Sequence, residues 1–377
     1  MSHETVLSNA RIVLSDRVVD GHLVLRDGLI AAIGEGPATG EDMGGDTLVP
    51  GLVELHTDHI EGHYLPRPKV RWNKLAAIQA HDAQIASSGI TTVFDALRVG
   101  MDENADIGAR DMRDMADAIA RSVAEDRLRA DHFIHLRCEV SAGDVVEGFE
   151  AMMGNELVKL ASLMDHAPGQ RQFVDIDTYR SYYQGKMKLS DAEFDTFCRR
   201  RIEESEANAP GSRIHIAARC REEGIALASH DDATLAHVAE AIGFGIALAE
   251  FPTTMEAARA SHEAGLKVLM GAPNVVRGGS HSGNISAFDL GEAGVLDILS
   301  SDYVPFSLIQ AAFQLGAERA DLAAAIRLVT KNPAETVGLT DRGEIAVGKR
   351  ADLVRVRPVQ AEAPVVRAVL REGRRVA

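Results

Sequence analysis

Between residues 5 and 49 apolar and polar positions alternate in two stretches, Val6 to Leu14 and Leu23 to Ile33, with Asp20-Gly21, Asp27-Gly28 and Gly34 to Gly36 reading as turns. This pattern predicts a small antiparallel β unit. From Pro50-Gly51 to about residue 338 the rhythm changes to a short apolar run, a polar cluster and a helical stretch, over and over. Eight runs read as strands: Leu52 to Leu55, Thr91 to Phe94, Phe133 to Leu136, Leu160 to Met164, Ala226 to Ala228, Ile246 to Ala249, Lys267 to Met270 and Leu296 to Leu299. Helices are predicted over 74–88, 105–129, 144–158, 191–222, 232–242, 254–264 and 303–317, with Thr253-x-x-Glu256 as a capping box for one of them. Strands alternating with helices, eight times, predict a (β/α)8 TIM barrel in the α/β class. Beyond residue 339 the β rhythm returns in Leu353 to Val356 and Val365 to Leu370. Neither terminal piece can bury a face alone, so residues 1–49 and 339–377 are expected to combine as a small β-sandwich domain beside a barrel of residues 50–338.

Composition narrows the class. Of 377 residues 46% are apolar and 25% charged, an ordinary globular mixture. Forty Lys and Arg against 56 Asp and Glu give a net charge of −16, which disfavours nucleic acid as a partner. Cys138, Cys198 and Cys220 are odd in number and far apart, so neither a disulfide framework nor a thiolate metal site is expected. The N-terminus has no apolar signal core and no run of about 18 apolar residues occurs, so a cytoplasmic protein without a membrane partner is expected. Self-association into a homo-oligomer stays open.

In a barrel of this kind the chemistry sits just past the C-terminal strand ends. His56-Thr57-Asp58 follows the first strand, Asp95 the second, Arg137 and Glu139 the third, Asp165-His166 the fourth, His230-Asp231-Asp232 the fifth, Glu250 the sixth and Asp302 the eighth. Imidazole and carboxylate together suit a divalent ion such as zinc, manganese or iron, and several converging anions would repel one another without a cation between them. Two apparent nucleotide motifs carry no weight. In Gly343-Glu-Ile-Ala-Val-Gly348-Lys349 an Arg350 stands where Ser or Thr should follow, and Gly243-Phe-Gly245 precedes a strand instead of following one. Both read as turns.

The flanking stretches Leu48-Val-Pro-Gly-Leu-Val-Glu-Leu-His56 and Gly343-Glu-Ile-Ala-Val-Gly-Lys-Arg-Ala-Asp-Leu-Val354 resemble those of the amidohydrolase superfamily, over essentially the whole chain. Within it, Glu54-Leu-His-Thr-Asp58, Pro66-Arg-Pro-Lys-Val70, His81-Asp-Ala-Gln84, Gly89-Ile-Thr-Thr-Val-Phe-Asp95, Asp165 to Phe173, Ala228-Ser-His-Asp-Asp232 and Gly271 to Gly283 resemble the diphosphatases of the carbon–phosphorus lyase pathway. The resemblance implies metal-dependent hydrolysis of a phosphorylated sugar, α-D-ribose 1-alkylphosphonate 5-triphosphate, to the 5-phosphate and pyrophosphate. It also implies Glu139 as a bridging carboxylate. Asp58 replaces the second His of the usual His-x-His, no Lys follows the fourth strand, and Glu250 stands at the sixth-strand His position, so the count of one or two ions stays open.

With that reading, His56, Asp58, Glu139, His166 and His230 are the expected metal ligands and Asp302 the catalytic base. Arg67, Lys69, Lys186, Arg277, Ser280 and His281 are expected to bind the phosphates. Asp302 could instead cap a helix starting near Tyr303. Two other functions compete: hydrolysis of a cyclic amide or N-acyl group on the same fold, and a metal-free assembly protein.

Overall fold

The computed structural model describes residues 4–100, 107–171, 179–180, 190–279, 284–360 and 362–377. The N-terminal strands are Glu4–Val13 (β1), Val18–Arg26 (β2), Leu29–Glu35 (β3), Glu41–Asp42 (β4) and Thr47–Pro50 (β5). The barrel strands follow as Leu52–Thr57 (β6), Ile90–Val99 (β7), Asp131–Glu139 (β8), Val158–Met164 (β9), Ala226–His230 (β10), Leu248–Glu250 (β11), Lys267–Gly271 (β12) and Ile298–Ser300 (β13). The tail adds Leu353–Arg357 (β14), Val365–Arg371 (β15) and Arg374–Arg375 (β16). Helices Ile60–Tyr64 (α1), Lys74–Ser87 (α2), Ala109–Ala124 (α3), Val145–Glu150 (α4), Asp191–Glu223 (α5), Leu235–Phe244 (α6), Met255–Glu263 (α7), Ala272–Arg277 (α8), Ala287–Glu292 (α9), Ser307–Glu318 (α10), Leu322–Arg327 (α11) and Lys331–Thr336 (α12) lie between the strands or after the last of the barrel.

The terminal strands share one sheet in the order β16-β15-β14-β5-β1-β2-β3, with β4 added to β1. Its core gathers Leu7, Ile12, Leu23, Leu25, Ile30 and Leu48 from the N-terminal side with Ile345, Ala351 and Leu353 from the tail. Asp27 and Gly28 turn the β2–β3 hairpin, both with positive φ (51° and 82°), as a two-residue turn of matching twist requires. Asp20-Gly21, expected as a turn, lies inside β2 instead. A Cβ on Gly21 would stand 2.0 Å from the carbonyl oxygen of Gly34, so this glycine serves close strand approach.

At Gly51 the chain passes from one sheet to the other. Its N–H donates to Asp352 O of the tail (2.7 Å), and the next N–H, of Leu52, donates to Gly89 O beside β7 (3.0 Å). The eight predicted barrel strands are all present and all pairs are parallel, running from β6 to β13. A single parallel bridge, Thr57 with Asp302, brings the ends together. Side chains finish this seam: Thr57 Oγ1 donates to Asp302 O (2.6 Å), while Glu54 accepts from His56 N (2.7 Å) and Ser301 N (2.5 Å) and lies 2.7 Å from Ser300 Oγ. Apolar side chains from all eight strands, among them Val53, Leu55, Phe94, Phe133, Leu160, Ala228, Leu248, Leu269 and Ile298, fill the interior below the mouth.

Some boundaries move. The capping residue of α7 is Thr254, whose side chain accepts from Ala257 N (3.1 Å), one position after the Thr253 expected. Residues 303–306 form no part of α10, whose N-cap position is Phe306, so Asp302 is not its cap. Gly245 ends α6 in the left-handed conformation, and Gly343 and Gly348 lie in turns, which removes both nucleotide-motif look-alikes. The three cysteines are buried and free. Among the described residues no helix is long and apolar enough to cross a membrane.

Candidate metal-dependent active site

Alternation along the strands decides which residues reach the barrel mouth. On β8 the apolar residues Ile134, Leu136 and Cys138 pack against the helix layer, which leaves His135, Arg137 and Glu139 on the inner face. His56 is the last residue but one of β6, His230 ends β10, Glu250 ends β11, and His166 follows β9. Three residues just past strand ends, Asp231, Phe251 and Asp302, take positive φ (57°, 51° and 54°). Left-handed backbone at non-glycine residues costs of order 1–3 kcal/mol each and is retained where surrounding structure fixes it. Here Asp231 N donates to Glu250 O (2.9 Å), Phe251 N to Leu269 O (2.8 Å) and Asp302 N to Ser300 Oγ (3.2 Å), one bond at each corner.

Two groups of side chains result, each able to surround an ion. His56, His135 and Glu250 are all buried, with His56 Nδ1 3.2 Å and His135 Nε2 3.9 Å from Glu250 Oε1. His166, His230 and Asp231 form the second, with His230 Nδ1 2.8 Å and His166 Nε2 3.8 Å from Asp231 Oδ2. The His56 and His230 rings are 5.8 Å apart, and Phe251 packs edge-on against His56, closing the pair from one side. The other oxygen of Glu250, Oε2, is buried with no hydrogen-bond partner. An uncompensated carboxylate among imidazoles is the electrostatic imprint of a cation, so the donor set fits a divalent ion. Burial holds His56 well below the ordinary imidazole range and His135 at about 3, leaving neutral rings with lone pairs to give. Asp302 is pushed up to about 7, by burial first and then by the negative charge of Asp58.

A family model described as the amidohydrolase family matches residues 75–377. Over 355 residues the chain is 47% identical to the alpha-D-ribose 1-methylphosphonate 5-triphosphate diphosphatase of Escherichia coli (strain K12), covering 93% of this chain and 94% of that protein. This chain belongs to the amidohydrolase family. Its fold is shared by an enamidase structure (18% identity, TM-score 0.64, 99% of this chain and 96% of that one). The N-acetylglucosamine-6-phosphate deacetylase of Thermotoga maritima shares it too (14% identity, TM-score 0.63, 99% of each chain).

In this amidohydrolase the His230 ring is 5.8 Å from that of His56 and 5.6 Å from that of His166, while Glu139 and Asp58 belong to neither group of three. Glu139 accepts from His166 Nδ1 (2.6 Å), His166 N (3.1 Å) and Ser141 Oγ (2.6 Å), so most of its lone pairs are taken and it orients His166. Asp58 accepts from Arg137 Nη1 (3.3 Å). Arg67, Lys69 and Arg277 are exposed, the first two in the segment after α1 and the third at the end of α8. Lys186, Ser280 and His281 lie outside the described residues.

Three site residues were not singled out from the sequence. His135 is in mid-strand, where only its inward register marks it; Asp231 and Glu250 were visible as strand-end acids but not assigned as ligands. Asp95 departs from the expectation in the other direction. β7 runs on to Val99, so Asp95 is in its middle and faces α2, away from the mouth.

Proposed function

We propose that this chain hydrolyses α-D-ribose 1-alkylphosphonate 5-triphosphate to the corresponding 5-phosphate and pyrophosphate, using divalent metal held at the barrel mouth. The observation that carries the reading is the 47% identity to a diphosphatase of that substrate class, running through nearly all of both chains. His56, His230 and His166, with Glu250, Asp231 and the inner His135, would hold the metal, one ion in each group of three; zinc, manganese and iron all accept such donors. When bound, the metal supplies Lewis acidity toward phosphoryl oxygens and makes water easier to deprotonate.

The chain's own groups do the rest. Asp302 receives the proton of the attacking water on its carboxylate, which burial and neighbouring anions make a stronger base than an ordinary aspartate. Glu139 fixes the His166 ring by its Nδ1 bond. Arg137 brings a guanidinium to the inner face, with its Nε buried and unpartnered, where it offsets charge building on a leaving phosphate. Arg67, Lys69 and Arg277 receive the outer phosphates from the rim, and Lys186, Ser280 and His281 are proposed for the same task. A substrate bearing this much negative charge must find local cations on a molecule of net charge −16.

The experiment is pyrophosphate release from the ribose 5-triphosphate, run beside a cyclic amide and an N-acyl sugar. Pyrophosphate formed with no amide turnover supports the proposal. Amide cleavage without pyrophosphate overturns it.

A further inference from the structure

Outside the barrel wall there is a third group of imidazoles that the reaction does not use. His59, the N-cap residue of α1 with helical backbone angles, and His63 within it stand four residues apart and so project from one face, the spacing with which a helix commonly presents two imidazoles to one ion. His81 meets them from α2, and the ligand nitrogens of all three lie within 4.8 Å of one another. The ring centroids of His59 and His63 are 4.9 Å apart, and those of His59 and His81 5.5 Å. None of the three belongs to either group at the mouth. Asp95, which touches His81, alternates on β7 with Phe94 of the barrel interior, so this group lies on the opposite side of the wall.

The second row is already built. His81 Nε2 is 2.8 Å from Asp95 Oδ1. A carboxylate can only accept, so that nitrogen carries a proton, and His81 Nδ1 faces His59 Nδ1 at hydrogen-bonding distance. Asp95 is fixed in turn by His132 Nδ1 (2.7 Å). A carboxylate behind an imidazole whose other nitrogen faces a ligand position is the arrangement that orients metal-binding histidines. The separation of His59 Nδ1 from His81 Nδ1 is 3.2 Å. Two nitrogens each bound at 2.0–2.1 Å to a tetrahedral zinc ion would be about 3.3–3.4 Å apart.

We propose that His59, His63 and His81 form a second zinc-class cation site on the outer side of the barrel wall, backed by Asp95 and distinct from the catalytic centre. Three imidazoles suit a borderline divalent ion and leave a fourth position for water. An ion there ties α1 to α2. It thereby holds the segment between them, residues 65–73, which carries Arg67 and Lys69. The inference does not depend on which reaction the mouth performs.

The test counts ions and reads ligands on the full chain. Protein equilibrated with excess zinc and desalted is assayed by elemental analysis for wild type, His63→Ala, His63→Cys and His56→Ala. His63→Ala is expected to hold one zinc fewer per chain than wild type, and His63→Cys, which keeps a ligand, to regain it. Cobalt-loaded His63→Cys should show a thiolate-to-cobalt charge-transfer absorption that wild type lacks. His56→Ala should keep this ion while losing metal at the mouth. Unchanged zinc in His63→Ala, or no charge-transfer band in His63→Cys, overturns the proposal and leaves the catalytic reading standing. Full zinc in His56→Ala would do the reverse.

Discussion

Glu250 has one oxygen beside His56 and the other buried without a donor. Such an atom costs roughly 1–3 kcal/mol unless something positive reaches it. His56→Ala removes an imidazole from the group around Glu250, and His230→Ala one from the group around Asp231. Each variant is therefore expected to lose tightly bound divalent metal, measured by elemental analysis; full occupancy in either would remove that residue from the ligand set. Asp302 is a different kind of residue, held by backbone to Thr57 while its carboxylate faces other anions. Asp302→Asn preserves shape and hydrogen bonding but cannot take a proton. It should keep fold and most of the metal and lose about 10²–10⁴ in kcat, and near-normal turnover would show that the base lies elsewhere.

At the scale of elements, β7, β8 and α2 are locked together by a buried chain of charges. His132 Nδ1 is 2.7 Å from Asp95 and its Nε2 3.4 Å from Asp82, which also accepts from Arg129 N (2.8 Å) and Ala130 N (3.0 Å). Burial alone would depress the His132 imidazole, but Asp95 and Asp82 outweigh it and raise the ring to about 9. A raised imidazole stabilises the fold fully below its unfolded value near 6.5 and loses that contribution as pH climbs through its folded value. Unfolding free energy measured by denaturant should therefore fall by on the order of 3 kcal/mol between pH 6.5 and above 9, and His132→Asn should flatten that slope. This network also shows what the sequence could and could not convey. Strand positions were legible because each apolar run in a barrel must be buried on both faces. Where a strand ends was not: β7 continues four residues past Asp95, and that length decides whether the carboxylate meets the mouth or the helices. The short helices α8, α9, α11 and α12 are six residues each, too brief to show a period, and tertiary packing forms them.

Across the whole molecule one aspartate fastens the tail to the barrel. Asp131, at the start of β8, meets Arg342 (2.6 Å), Arg350 (2.8 Å) and Arg371 (3.3 Å), three side chains from the last 36 residues. Burial works against its charge, but Arg350 and Arg342 prevail and keep it below the usual carboxylate range. Asp131→Ala leaves those guanidinium groups facing one another. A loss on the order of 2 kcal/mol is expected, seen as a lower Tm with little change in KM, since the clasp is at the end of the barrel away from the mouth.

The seam between β6 and β13 sets a clock on assembly. Thr57 and Asp302 are 245 residues apart in the chain, so the contact that completes the mouth is among the last the ribosome can deliver. Loop closure over such a span is slow, and until it occurs the open edges of β6 and β13 expose backbone groups to other chains. Nascent chains released after residue 290 should therefore acquire no tightly held metal at His56 and should aggregate, whereas chains released after residue 377 should acquire it. Metal retention by the shorter chains would mean that seven strands, without β13, are enough to gather the ion.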